Sequence, residues 1–385
     1  MSPWGPTHWL HQSTSHFHHL LRCGRLPSFT GDANPRQEWP RRADAGGAFA
    51  SVDALELTRA LVALETPTGA EGAAIDLLDG TLRRAGYRVT RQPVSPGRDN
   101  LFAYREAPEL VFSTHLDTVP PYLPLSEDSG AIHGRGSCDA KGIAAAMVTA
   151  AERLSQAGER RVGLLFLVGE ENGSDGALAA ADLEPRGRFL VNGEPTENRL
   201  SIGQKGTLRV DLKATGKAAH SAYPEDGVSA IAALLDSIER IRGMPLPVDQ
   251  LLGPSTLNLG LINGGVAPNV IPPSASAQLL VRTVEPTDSL KAAIRKLVSP
   301  EVSVEFPVEL PFYKGGSAPA GWETVVVSYA SDLPFLASWG EGYQLGPGSI
   351  RVAHTATEHI LKADLLRGVE LYVRLATDLL AREAQ

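Results

Sequence analysis

Four short segments, far apart in the chain, each place a histidine or a carboxylate at the end of an apolar run. They are Leu110 to Asp117 (LVFSTHLD), Gly134 to Gly142 (GRGSCDAKG), Leu164 to Glu171 (LLFLVGEE) and Phe189 to Thr196 (FLVNGEPT). A fifth segment, Gly346 to Thr355 (GPGSIRVAHT), adds a second histidine, His354, near the C-terminus. Runs of four to six apolar residues read as buried strands, and open α/β sheets bind ligands beyond the carboxyl ends of their strands. Several acids converging there repel one another unless a cation sits between them. Two histidines with Asp and Glu form an N/O ligand set suited to zinc, cobalt or manganese. The pattern therefore predicts a metal-dependent hydrolase on an α/β fold.

Length and charge narrow the class. A chain of 385 residues with 43% hydrophobic content has room for two domains and a sizeable core. The formal charge is −8, which argues against a nucleic-acid or anionic-membrane partner. Two cysteines, Cys23 and Cys138, cannot make a disulfide framework, so a reducing, cytoplasmic compartment is expected. No apolar stretch approaches the roughly 18 residues of a membrane span.

Residues 1–50 are unlike the rest. Five of the ten histidines (His8, His11, His16, His18, His19) stand there among Trp, Pro, Arg and Ser, with no persistent period and no signal-peptide core. A disordered leader, or a start assigned too far upstream, is the expectation; a histidine-rich metal-binding tail is the sharper alternative, followed by a targeting role. From Ser51 the pattern becomes regular. Helical spacing runs from Val52 to Leu64, stopped by Pro67-Thr68-Gly69, and again over Gly72 to Ala85, followed by a strand through Tyr87 and an Ala-rich helix over Ile143 to Ala157. Alternating strands and helices predict a mostly parallel sheet. After Glu194 the character shifts: strands at Leu208 to Ala214, Thr256 to Ile262, Ala275 to Val284 and Val302 to Phe306 alternate with helices at Val228 to Arg242 and after Thr287. That β-α-β-β-α-β order predicts a small α+β domain inserted in the larger one. The expected division is 51–203 and 314–385 for the larger domain and 204–313 for the insert, with a closing helix over Ala363 to Arg382.

In His115-Leu-Asp117 both side chains fall on one face of an extended segment. The carboxylate can then accept the second ring N–H of the histidine and strengthen it as a ligand, which assigns His115 to metal and Asp117 to its support. Asp139, at a helix start among glycines, is placed to span two ions. Glu170 and Glu171 are adjacent and point apart, so one can bind metal while the other takes a proton from the attacking water. Cys138 reads as a small buried residue. No Gly-x-Ser-x-Gly elbow, Walker loop or Gly-x-Gly-x-x-Gly fingerprint competes for the function.

Taken together, the motifs stand in the order of one family. His115-Leu-Asp117-Thr-Val-Pro120, Gly134-Arg-Gly136 with Asp139-Ala-Lys-Gly142, Gly169-Glu-Glu171, Gly193-Glu-Pro-Thr196 and Gly346-Pro-Gly348 with Ala353-His354-Thr355 resemble the di-zinc amidohydrolases and peptidases. That family includes acetylornithine deacetylase, succinyl-diaminopimelate desuccinylase, aminoacylase and carboxypeptidase G. The resemblance covers about residues 52–382. It implies that Asp139 bridges two zinc ions, replaceable by cobalt, with a cis peptide after it. His115 and Glu194 would complete one ion's shell, Glu171 and His354 the other's, and Glu170 would be the general base.

The insert resembles the family's dimerisation lid, which implies a homodimer in which His220 reaches the partner's site and steadies the oxyanion. Gly264-Gly265, Asn269 within Pro268 to Pro272, and Arg282 match the family's anchors for substrate polar groups and carboxylate; a planar guanidinium suits a bidentate grip. The family's Gly-rich segment before the last histidine corresponds here to Ser331-Asp332-Leu-Pro334, in different surroundings. Ser331 and Asp332 are therefore the expected pocket residues. The implied reaction is amide hydrolysis of an N-acyl amino acid, with acetylornithine as the first choice. Succinyl-diaminopimelate, or a dipeptide or carboxypeptidase substrate on the same scaffold, is the alternative.

Overall fold

A computed structural model describes residues 52–382. The expected leader at 1–50 lies outside the described residues. Chain order begins with helix α1 (Ala54–Val62), whose N-terminus is closed by the Asp53 carboxylate accepting from Glu56 N–H at 2.9 Å. Helix α2 (Gly72–Arg84) leads into the strands β1 (Arg88–Ser95), β2 (Arg98–Tyr104) and β3 (Leu110–His115). Helix α3 (Lys141–Gln156) precedes β4 (Val162–Leu167), and the short α4 (Asp175–Ala180) precedes β5 (Phe189–Asn192) and β6 (Leu200–Gln204).

Next come β7 (Gly206–Thr215), α5 (Ala230–Gly243), β8 (Thr256–Gly264), β9 (Ser274–Thr283), α6 (Asp288–Leu297) and β10 (Val302–Leu310). The chain closes with β11 (Thr324–Val327), β12 (Glu341–Gln344) and helix α7 (Lys362–Leu380).

Nine strands among the described residues form the main sheet, in the order β1-β2-β4-β3-β5-β12-β6, with Tyr313–Lys314 and β11 both pairing β6. The centre, β4-β3-β5-β12, is parallel. Both faces are covered, as the unbroken apolar strands require. On one face Phe112, Leu164, Val191 and Tyr343 pack with residues of α1, α2, α3 and α7. On the other, Val111, Leu165 and Leu190 pack with Ala177 and Ala180 of α4 and with Leu333, Leu336 and Trp339. Trp339 sits edge-on to Phe102 with ring centroids 5.2 Å apart, and its indole N–H donates to Ala180 O at 2.9 Å. Among the described residues no helix is long and apolar enough to cross a membrane.

A second sheet, in the order β8-β9-β7-β10, is wholly antiparallel and backed by α5 and α6. Its β-α-β-β-α-β chain order is the one read from the sequence. Its apolar side carries Leu208, Val210, Leu212, Ala277, Leu279 and Val281, the period-two pattern of a half-buried sheet. Helix α6 starts after Thr287 as expected, although the Thr287 hydroxyl contacts the Glu309 carboxylate and does not cap it.

Candidate metal centre

Three neighbouring parallel strands deliver their next residues to one end of the main sheet. β3 ends at His115, β4 runs into Gly169 and the turn Glu170–Asn172, and β5 runs into Gly193-Glu194. Glycine is required at the second and third exits. Gly169 has φ +79°, and a Cβ there would collide with Asp175 and Arg98; a Cβ at Gly193 would run into Ile143 and Met147 of α3. Asp139 enters from the Gly-rich loop before α3, and the peptide after it is cis, as the resemblance implied. His354 comes from the loop after β12 in a left-handed conformation, φ +62°.

These side chains converge. His115 Nε2 lies 3.1 Å from Asp139 Oδ1. His354 Nε2 lies 3.3 Å from Asp139 Oδ2 and 2.9 Å from Glu171 Oε1. Two trios result, His115/Asp139/Glu194 and Asp139/Glu171/His354, each with its donor atoms within 4.8 Å of one another. Asp139 belongs to both and turns one oxygen towards each histidine. Glu170 belongs to neither.

The electrostatics fit a cation pair. Burial, then the charges of neighbouring acids, pushes the Glu170 and Glu194 carboxyls well above their ordinary range, with His115 pulling the other way. Burial opposes ionisation of Asp139 too, but His115 and His354 more than offset it and hold the carboxylate low. His354 is raised to about 10 by the Asp139 and Glu171 carboxylates. An excess of buried carboxylate, with two imidazoles aimed into it, is a mixed N/O donor set for zinc or a similar divalent ion.

Asp117 is fully buried, and its carboxylate does more than the sequence suggested. It accepts from Thr68 Oγ1 at 2.7 Å and from the backbone N–H groups of Glu170 and Glu171, each at 3.1 Å. His115 Nδ1 approaches the backbone carbonyl of Asp117 at 3.0 Å and the carboxylate at 3.4 Å. The carbonyl is the better acceptor for the ring N–H, which leaves Nε2 free to face Asp139. One residue thus holds His115 and the Glu170-Glu171 pair in fixed relation.

Sequence reasoning missed Thr68, read merely as part of a helix stop at Pro67-Thr68-Gly69. It also missed an ion cluster behind the Gly169 turn. Arg98 pairs with the buried Glu71 at 2.9 Å and with Asp175. Short-range patterns carry no signal for partners 27 and 77 residues apart.

The remaining expected site residues fall into two places. His220 and Asn269 are exposed together beside the second sheet: His220 bridges Val270, and Ser221 N–H donates to Asn269 O at 3.0 Å. Arg282 is partly buried on β9 and donates to Thr207 Oγ1 at 2.6 Å. Ser331 and Asp332 are buried at the main sheet. Ser331 Oγ donates to Gln204 Oε1 at 2.6 Å and accepts from Asn192 Nδ2 at 3.3 Å. Neither Asp332 oxygen has a hydrogen-bond partner among the described residues. Burial lifts that carboxyl to about 7, with the nearby Ser174 hydroxyl drawing it back in part without meeting hydrogen-bond geometry.

Two adjoining trios of candidate metal donors, with Glu170 outside both, lie at the carboxyl end of a parallel sheet, an arrangement suited to a metal-dependent hydrolase. The comparisons agree: the profile of Peptidase family M20/M25/M40 matches residues 111–378, and the chain belongs to that family. A Peptidase M20 domain-containing protein of Schizosaccharomyces pombe is 38% identical over 334 residues, 83% of each chain. A probable carboxypeptidase of Aspergillus clavatus is 36% identical over 370 residues, 86% of this chain and 89% of the relative. Among solved structures, a tripeptidase of Staphylococcus aureus superposes with a TM-score of 0.70 at 22% identity, and aminopeptidase PepT of Bacillus cereus with 0.72 at 21%. Each match covers 86% of this chain and 100% of the other, so the fold is shared over that length.

Proposed function

We propose that the chain is a dinuclear zinc peptidase that cleaves short peptides with a free carboxylate, as a carboxypeptidase or dipeptidase. The observation that carries this reading is the pair of trios sharing Asp139 while Glu170 stands outside both. Ions held there would supply Lewis acidity and make water acidic enough to lose a proton near neutral pH. Glu170 takes that proton and passes it to the leaving amine. Asp117 fixes Glu170 through its backbone N–H, so the base is placed by the same group that orients His115. His220 donates to the developing oxyanion, and Arg282 with Asn269 holds the substrate carboxylate.

Acetylornithine-like deacetylation, the first choice from the sequence, gives way to peptide hydrolysis. Support for the change comes from similar relatives bearing the name carboxypeptidase at 36% and 34% identity. In this reading residues 51–203 and 314–385 form the catalytic domain and 204–313 a lid through which two copies pair. The outer strand β8, unpaired on one side among the described residues, supports a homodimer, because its Leu261 and Ile262 are 56% and 48% exposed and Val266 in the loop that follows is 72% exposed. Cytoplasmic placement rests on the low cysteine count. The test is a panel of dipeptides, C-terminally blocked dipeptides, N-acetyl and N-succinyl amino acids, run on metal-stripped protein reloaded with Zn2+ or Co2+. Hydrolysis of unblocked dipeptides is expected; turnover of the acyl amino acids alone would refute the peptide reading.

A further inference from the structure

The loop that carries Asp139 is organised around a carboxylate that neither the motifs nor the proposed chemistry uses. Glu358 is 1% exposed. Its Oε1 accepts from three backbone N–H groups of that loop: Gly136 at 2.9 Å, Cys138 at 3.2 Å and Asp139 at 3.1 Å. Its Oε2 accepts from Arg135 Nη1 at 2.5 Å, and Arg135 is 2% exposed. Gly134 N–H closes the same pair of segments by donating to Glu358 O at 3.1 Å. Gly136, at φ +85°, supplies the left-handed turn on which the loop's N–H groups converge. Convergent N–H groups of this kind form an anion cradle, and here the anion belongs to the protein itself.

Glu358 stands four residues after His354 in the chain. One carboxylate therefore clamps the segment bearing Asp139 to the segment bearing His354, the two residues that meet at 3.3 Å. We propose that Glu358 is a positioning residue that sets the geometry of the Asp139/Glu171/His354 trio and hence its affinity for metal. The inference rests on the dinuclear-metal reading above and deepens it. His115 and Glu194 come from other strands, so the trio they form with Asp139 feels the clamp through Asp139 alone. Loss of Glu358 should therefore weaken the two ions unequally.

The test is Co2+ titration of the metal-stripped full-length chain, read by bound cobalt per protomer and by visible absorption, for the parent protein, Glu358→Gln and Glu358→Asp. Glutamine keeps the shape but turns an amide N–H2 towards donors. Aspartate keeps the charge but withdraws it by one methylene. The expected result is parent-like circular dichroism in both variants, with one of two cobalt ions bound about 10- to 100-fold more weakly, the usual loss when a ligand's support is removed. The other ion should change less, and aspartate should lose less than glutamine. A generally loosened fold would weaken both ions together. Parent-like affinity for both ions in a folded Glu358→Gln overturns the inference. So does failure of both variants to fold, because the role assigned to Glu358 is local. If the parent chain takes up no Co2+, the metal-centre reading itself falls, a distinct outcome.

Discussion

Replacing Asp332 by Asn should stabilise the metal-free protein at alkaline pH, and the structure sets the size of the gain. Asp332 is 1% exposed with both oxygens unpartnered among the described residues, and its carboxyl is lifted from 3.8 to about 7. A group whose folded value is raised in this way binds more protons folded than unfolded. Stability therefore falls as pH rises from about 4 and levels off above about 7. The full rise corresponds to a penalty of at most about 4 kcal/mol at pH 8, using about 1.4 kcal/mol per tenfold change. Between pH 5 and pH 8 the penalty grows by roughly 2.6 kcal/mol by the same linkage. Asparagine stays neutral throughout and leaves the same kind of unpaired polar group that protonated Asp332 leaves, so its intrinsic cost is similar. Urea unfolding of chelator-treated protein at the two pH values measures the difference directly. An Asn variant no more stable than the parent at pH 8, or one whose advantage is the same at both pH values, would show that Asp332 is not a strained acid.

Other outcomes follow from the centre itself. Glu170→Gln should keep full metal content yet lose at least about 10²-fold in turnover, the lower end of a general base's contribution; near-parent turnover would remove Glu170 from that role. Asp139→Ala takes one donor from each trio and should lose metal together with activity; elemental analysis showing two ions retained would contradict bridging. His220→Ala should cost about 10²- to 10³-fold in turnover. Mixing His220→Ala with Glu170→Gln subunits should restore part of the activity if His220 serves the other subunit, and no recovery after proven subunit exchange would place its action elsewhere.

Much of this was legible in the sequence because most of the candidate site residues follow a strong local signal. His115, Glu170, Glu171 and Glu194 stand at or just beyond the ends of apolar runs that read as buried strands, and Asp139 precedes an Ala-rich helix. The inserted sheet was legible for the same reason, since Leu208 to Ala214 alternates cleanly. What stayed hidden are contacts between segments. Thr68 reaches Asp117 across 49 residues, and Glu358 reaches Gly136 across 222. Neither carries a period or a spacing that marks it. A pattern of two placed the Asp117 carboxylate beside His115, at 3.4 Å from Nδ1, but could not show that the Asp117 main-chain carbonyl lies nearer, at 3.0 Å.

The order of strands has a consequence for how the molecule comes off the ribosome. β12 lies between β5 and β6 in the main sheet, although 148 residues of chain separate Asn192 from Glu341. Until residue 341 is added, the fully buried run Phe189–Asn192 has no neighbour on that side, and the whole insert must be made while this apolar edge stays open. The His115/Asp139/Glu194 trio is complete in the nascent chain by residue 194, whereas the second trio waits for residue 354. During synthesis the growing protein therefore passes through a long interval with one trio of candidate metal donors synthesised, the other a residue short, and its central sheet still missing a strand.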